Sequence, residues 1–109
     1  MAIAAAMRFS KEKMKTALAA ATASAAGLLE MQEDESQLKP YNLAQAAVGG
    51  VTAAYAAMTG FIGPKDPLGG KRGLFSVMSE NPKIEPITDF KTIPFEIMRI
   101  YRKPYAACR

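Results

Sequence analysis

Residues 40–60, which read PYNLAQAAVGGVTAAYAAMTG, decide the fold expected for this chain. The stretch has no charged residue, and its apolar and small side chains recur at helical spacing, which predicts one helix. We expect the helix to begin within residues 40–43 and to run to about Thr59, with Gly60 as its terminator. One face of this helix is predicted to carry Leu43, Ala47, Gly50, Val51, Ala54 and Met58. Its many small residues favour close contact with neighbouring helices.

A second helix is predicted upstream, over residues 11–31. Ser10 is a good N-cap residue, and Glu12 lies favourably in the first turn. Gly27 inside this stretch indicates either close contact with another backbone or a break. Residues 1–7 form a short apolar stretch that is typical of the end of a helix. Lys39 precedes a proline, so we expect it to be extended.

The second half of the chain is predicted to hold shorter elements. Residues 61–73 are rich in glycine and proline and indicate ordered turns. We expect a short helix over 74–79, a connection over 81–93, and a short helix or the start of a strand over 95–101. Residues 102–109 are expected to be extended around Pro104. The fold class predicted from these patterns is mainly α.

Charge and composition exclude several classes of function. The chain has 109 residues, a formal charge of +4, no histidine and one cysteine. It therefore cannot build a Ser-His-Asp or Cys-His nucleophile system, a zinc site or an internal disulfide by itself. Its single cysteine suits the reducing cytoplasm. No apolar run approaches the ~18 residues of a membrane span, and basic residues do not alternate with aromatic ones as in a nucleic-acid platform.

Two segments carry candidate chemistry. Lys39 lies next to a predicted helix N-terminus, where free N–H groups favour an anion, so it could hold a carboxylate or transfer a proton. The alternative is a surface lysine near a helix cap. Residues 102–109 combine cations, a tyrosine and a thiol in a proline-stiffened segment; the alternative is a solvated strand end with a buried cysteine. Residues 69–73, GGKRG, lack the spacing of a phosphate loop and indicate a tight surface turn.

Five short motifs follow one another in a recognisable order. They are AAGLLE at 25–30, SQLKP at 36–40, TGFIGP at 59–64, LGGKRG at 68–73 and KPYAACR at 103–109. This order and spacing resembles the MmgE/PrpD family, which contains 2-methylcitrate dehydratases, cis-aconitate decarboxylases and iminodisuccinate epimerases. The resemblance runs through nearly the whole chain.

The resemblance implies an architecture. Residues 1–98 would belong to the later part of a large all-helical domain, and residues 99–109 would begin a smaller α+β lid domain. The active site of the family lies between the two domains, and its proteins usually pair as homodimers. Its substrates are small di- or tricarboxylates, and no metal or organic cofactor is needed.

The resemblance also implies residue roles. Lys39 matches an active-site lysine on the helical side, and Lys103 matches a lysine on the lid side. Cys108 falls where some members carry a catalytic histidine. Tyr105 and Arg109, in the same segment, are the further candidates for substrate binding.

The sequence departs from the family pattern at some positions. Asn42 stands where many members have histidine, and Ala44 stands where a glycine is common. Both ends look cut, so we expect a fragment of a lyase or isomerase that is inactive alone and needs the remainder of the enzyme or a second chain. The alternatives are a small helical interaction module or split-enzyme subunit without catalysis of its own, and a basic surface binder of membrane or nucleic acid.

Overall fold

The computed structural model describes residues 1–28, 38–89 and 95–102, and these residues are mainly helical. The helices are α1 (Ala2–Ala6), α2 (Lys11–Ala23), α3 (Leu38–Met58), α4 (Leu74–Met78), α5 (Glu85–Thr88) and a 3-10 turn (Glu96–Arg99). The three described ranges contain no strand. The mainly α prediction is therefore confirmed. The short helix α5 lies within the stretch that was expected to be only a connection.

Helix α2 begins where the sequence predicts but ends earlier. Ser10 has extended backbone angles, and its Oγ accepts a hydrogen bond from the Lys13 N–H over 3.4 Å, which confirms the N-cap. The helix ends at Ala23 instead of near residue 31, so that prediction was wrong. The Ser24 N–H and the Ser24 hydroxyl both donate to the Ala20 carbonyl, over 3.2 and 3.0 Å, and close the last turn of the helix. Gly27 follows with a φ of +150°, so the backbone is not helical at this residue.

Helix α3 begins at Leu38, before the predicted start, and places Lys39 inside its first turn. The prediction of an extended Lys39 was wrong. Pro40 is tolerated because the N–H groups of a first helical turn have no partner within the helix. The other end matches the prediction: Gly60 has a φ of +93°, and the Phe61 N–H donates to the Ala56 carbonyl over 3.2 Å. This bond is the one expected of a Schellman terminus.

The core lies where α1, α2 and α3 meet, and alanines form it. Ala4, Ala17 and Ala57 make its centre, with Phe9 and Met14 partly buried against it. Among the described residues, the other buried hydrophobic ones are Ala19, Ala53 and Ala54. No large side chain is fully buried within the described ranges. Small side chains let the helices approach closely, but each one removes little apolar area from water.

The predicted apolar face of α3 is only partly correct. Ala54 is buried, as expected, with 2% of its surface exposed. Leu43 is 71% exposed and Val51 41% exposed, so these two residues do not belong to the core. The buried side of α3 is set by its alanines. The larger side chains of the helix point to solvent instead.

The segment after α3 returns to α2 and then folds into tight turns. The Gly63 N–H donates to Thr16 Oγ1 over 3.4 Å, and a Cβ on Gly63 would lie 2.8 Å from the Ala19 Cβ. In the turn that follows, Asp66 Oδ1 accepts from the Gly69 N–H over 2.8 Å. The Gly73 N–H donates to the Gly70 carbonyl over 2.7 Å. The ordered turns predicted from glycine and proline are therefore confirmed, as is the short helix α4.

Candidate functional site

The first turn of α3 carries Lys39, the one predicted site residue that the structure describes. Lys39 is the second residue of a helix of 21 residues, and it is exposed. No acidic residue lies in that first turn. The N–H groups of a helix N-terminus carry partial positive charge. This end of α3 therefore combines the positive end of the helix dipole with a full positive charge.

Lys39 has no fixed partner among the residues that the structure describes. Within these ranges, no hydrogen bond or ion pair joins its side chain to another residue. An exposed ammonium of this kind keeps its rotamer freedom and its hydration until a ligand arrives. The arrangement can bind a carboxylate by charge.

Asn42 lies beside Lys39 on the same side of α3, because residues three apart in a helix are neighbours. It is half-buried and close to the loop that follows α2, since a Cβ on Gly27 would lie 3.2 Å from Asn42 Oδ1. A glycine at position 27 thus permits both the positive φ and the approach of the Asn42 side chain. The side-chain amide of asparagine can donate to a carboxylate, but it does not ionise near neutral pH and so cannot act as a general acid or base.

The other predicted site residues lie outside the described residues. They are Lys103, Tyr105, Cys108 and Arg109. Their predicted roles stay predictions, as does their expected meeting with Lys39. The segment that leads to them ends in Arg102, which is exposed.

A concave surface lies between the end of α2, helix α4 and the turn that precedes α4. It is a groove of about 500 Å³, open to solvent. Its lining includes Thr22 and Ala25 of the α2 end, Asp66, and the two cations Lys71 and Arg72. Sequence reasoning identified the turn at 69–73 but not the groove. The signal was weak, because the apolar wall comes from α2 and α4, which are distant in sequence from each other.

Across residues 1–28, 38–89 and 95–102, no three histidine, cysteine or acidic side chains cluster so that they could hold a metal ion. No helix in the described part of the chain is both long enough and apolar enough to cross a membrane.

The sequence was compared with models of known families. The model of the MmgE/PrpD N-terminal domain matches residues 1–87. The chain therefore belongs to the MmgE/PrpD family, and the helical architecture agrees with the all-helical N-terminal domain of that family. Searches of the curated proteins and of the solved structures found no match to the chain.

Proposed function

We propose that this chain is part of a lyase or isomerase that acts on small di- or tricarboxylates, similar to 2-methylcitrate dehydratase, and that it is inactive alone. The observation that carries the proposal is the match of residues 1–87 to the MmgE/PrpD N-terminal domain. The positive end of α3, with Lys39 exposed and no acidic residue in its first turn, supports it.

Lys39 would act on the charge that develops during the reaction. Dehydration, decarboxylation and epimerisation of such acids all build negative charge next to a carboxylate. A cation already in position lowers the barrier without reorganising, because it stabilises that charge in the transition state. Lys39 would also serve as a proton-transfer group beside the reacting carbon. Asn42 would orient a carboxylate by hydrogen bonding.

The remaining roles are proposals based on the resemblance. Lys103, Tyr105 and Arg109 would hold the other carboxylate groups of the substrate, and Cys108 would occupy the position of a catalytic histidine. Residues 1–98 would belong to the helical domain and residues 99–109 to the lid, with the substrate between them. We further propose a homodimer in the cytoplasm that needs no metal or organic cofactor.

A helical interaction module without catalysis is the second candidate. Two observations favour it: Asn42 stands where many members of the family carry histidine, and α3 exposes large apolar side chains that a partner would cover. A cooperative thermal melt of the lone chain, together with no turnover in any assembly, would support this candidate. Turnover by the assembled protein would exclude it.

Substitution of Lys39 in the complete enzyme tests the proposed function. We expect Lys39→Ala to lower kcat/KM by at least about 100-fold, as removal of a single charge-stabilising group does elsewhere. The melting temperature should stay unchanged because Lys39 is exposed. Turnover of 2-methylcitrate, cis-aconitate and iminodisuccinate is followed by NMR.

The control is Lys83→Ala, which removes an exposed lysine from the connection between α4 and α5. It should leave turnover unchanged. Lys39→Arg separates the two roles of the lysine: it keeps the charge but not the ability to transfer a proton. Turnover near the wild-type rate in Lys39→Ala would show that the lysine is only a neighbour of the helix N-terminus.

A further inference from the structure

We propose that the groove between α2 and α4 binds a small organic carboxylate, with its negative group on Lys71 and Arg72 and its apolar part along α4. This inference goes beyond the proposed function, because the groove includes neither Lys39 nor Asn42. Its volume of about 500 Å³ lies within the range of roughly 300–1,000 Å³ that is usual for small-molecule sites.

The turn that presents the two cations is held by a side chain of α4 and by close backbone packing. The Ser76 hydroxyl lies within hydrogen-bonding distance of the carbonyl oxygens of Gly70, Lys71 and Gly73, at 3.2, 3.2 and 2.9 Å. A Cβ on Gly70 would lie 2.7 Å from the Asp66 carbonyl oxygen, so the backbone here is tightly folded. A preformed turn loses little conformational freedom when a ligand binds, which favours affinity.

Both cations are available to a ligand. Lys71 and Arg72 are exposed, and neither forms an ion pair with a carboxylate within the described ranges. Asp66 is the one acidic residue in the described lining, and its Oδ1 accepts from the Gly69 N–H. The groove therefore has a net positive charge on its turn side, and arginine and lysine both bind carboxylates well.

Other residues of the lining are apolar. Val77 and Met78 of α4 are 72% and 66% exposed, and Leu74 and Ala19 complete this wall. A purely inorganic anion would leave these side chains in water, whereas an organic anion would cover them. Nucleic acid is disfavoured because no described residue of the lining is aromatic, so no base could stack there.

Octanoate is the probe, and it is titrated into the full chain while heat or NMR shifts are recorded. Octanoate should bind saturably, acetate more weakly because it has no chain, and 1-octanol more weakly because it has no charge. The double substitution Lys71→Ala with Arg72→Ala should weaken octanoate binding by at least about tenfold, since charge-assisted hydrogen bonds are lost. Lys65→Ala, in the same loop but outside the lining, should leave the affinity unchanged.

Two further measurements keep the test independent of how the double variant folds. Lys71→Gln with Arg72→Gln should show the same loss of affinity at unchanged helix content by circular dichroism. In the unaltered chain, octanoate should slow chemical acetylation of Lys71 relative to Lys65, as read by mass spectrometry. Equal protection of the two lysines, no saturable binding, or full affinity in the double variant would each overturn the proposal. The outcome of these binding experiments does not depend on the turnover measured for Lys39→Ala. The groove proposal and the proposed function can therefore be contradicted independently of each other.

Discussion

Glycines in this chain differ in what surrounds them, and two of them illustrate the difference. A Cβ on Gly73 would lie 2.5 Å from the Leu68 carbonyl oxygen, which is closer than a Cβ and a backbone oxygen can approach. A Cβ on Gly49, inside α3, would meet nothing within 4 Å. The first glycine is required by close backbone approach. The second lies in open space, where glycine only weakens the helix.

These surroundings predict opposite effects of the same substitution. Gly73→Ala should destabilise the chain by about 1–3 kcal/mol, because the new methyl group forces the turn apart. Gly49→Ala should stabilise it by about 0.5–1 kcal/mol, because alanine restricts the unfolded chain and favours a helix interior. Urea unfolding followed by circular dichroism measures both. Equal urea midpoints for the two variants would contradict the different roles given to Gly73 and Gly49.

Helices α2 and α3 show which features can be predicted from sequence and which cannot. The Ser10 cap and the Gly60 terminus were predictable because each depends on one residue acting on its own helix end. The end of α2 was not, since Ala25 and Ala26 are good helix formers and the break signal at Gly27 lies beyond the observed end of the helix at Ala23. The start of α3 was missed because the preference before proline is only statistical.

The candidate site was predictable to a smaller degree. Lys39 was found because a lysine beside a helix N-terminus is a local pattern. The approach of Asn42 to Gly27 and the groove beside Lys71 join residues distant in sequence, and spacing along one chain does not specify such contacts. The apolar face of α3 was partly wrong for the same reason: periodicity locates a face but not the neighbour that covers it.

Contact between α2 and α3 depends on small side chains, which predicts a strong effect of size. Ala54→Leu should destabilise the chain by about 1–3 kcal/mol, because a larger side chain does not fit a closely packed interface. Ala46→Leu is the matched control: it makes the same change at an exposed position of the same helix, and leucine is nearly as good a helix former as alanine. Thermal unfolding compares the two. A similar loss of thermal stability in both variants would argue against close packing between α2 and α3 at Ala54.

At the scale of the whole molecule, much apolar surface remains exposed. Along α3, Tyr41, Val48 and Tyr55 are each 59% exposed, and their spacing of seven residues places them on one side of the helix. Exposed apolar patches of this kind mark surfaces that another chain or domain covers. This fits the proposal that the chain acts only together with a further part or a second copy.

The exposed side of α3 predicts self-association of the isolated chain. Val48→Lys should reduce the sedimentation coefficient measured at high concentration, because it places a charge in the centre of the apolar surface. Val77→Lys, at an exposed valine of α4, makes the same change outside that surface. Helix content should be unchanged in both. Equal effects of the two substitutions would show that net charge, and not the α3 surface, controls association.

The alanine core has a consequence for the thermodynamics of unfolding. The heat capacity change on unfolding follows the apolar area that becomes hydrated, and globular proteins average about 12–15 cal/mol/K per residue. A core whose buried residues are alanines, such as Ala4, Ala17 and Ala57, should give a smaller value for the isolated chain in scanning calorimetry. Its stability would then vary little with temperature, and a sharply curved stability profile would arise only in an assembly that covers α3.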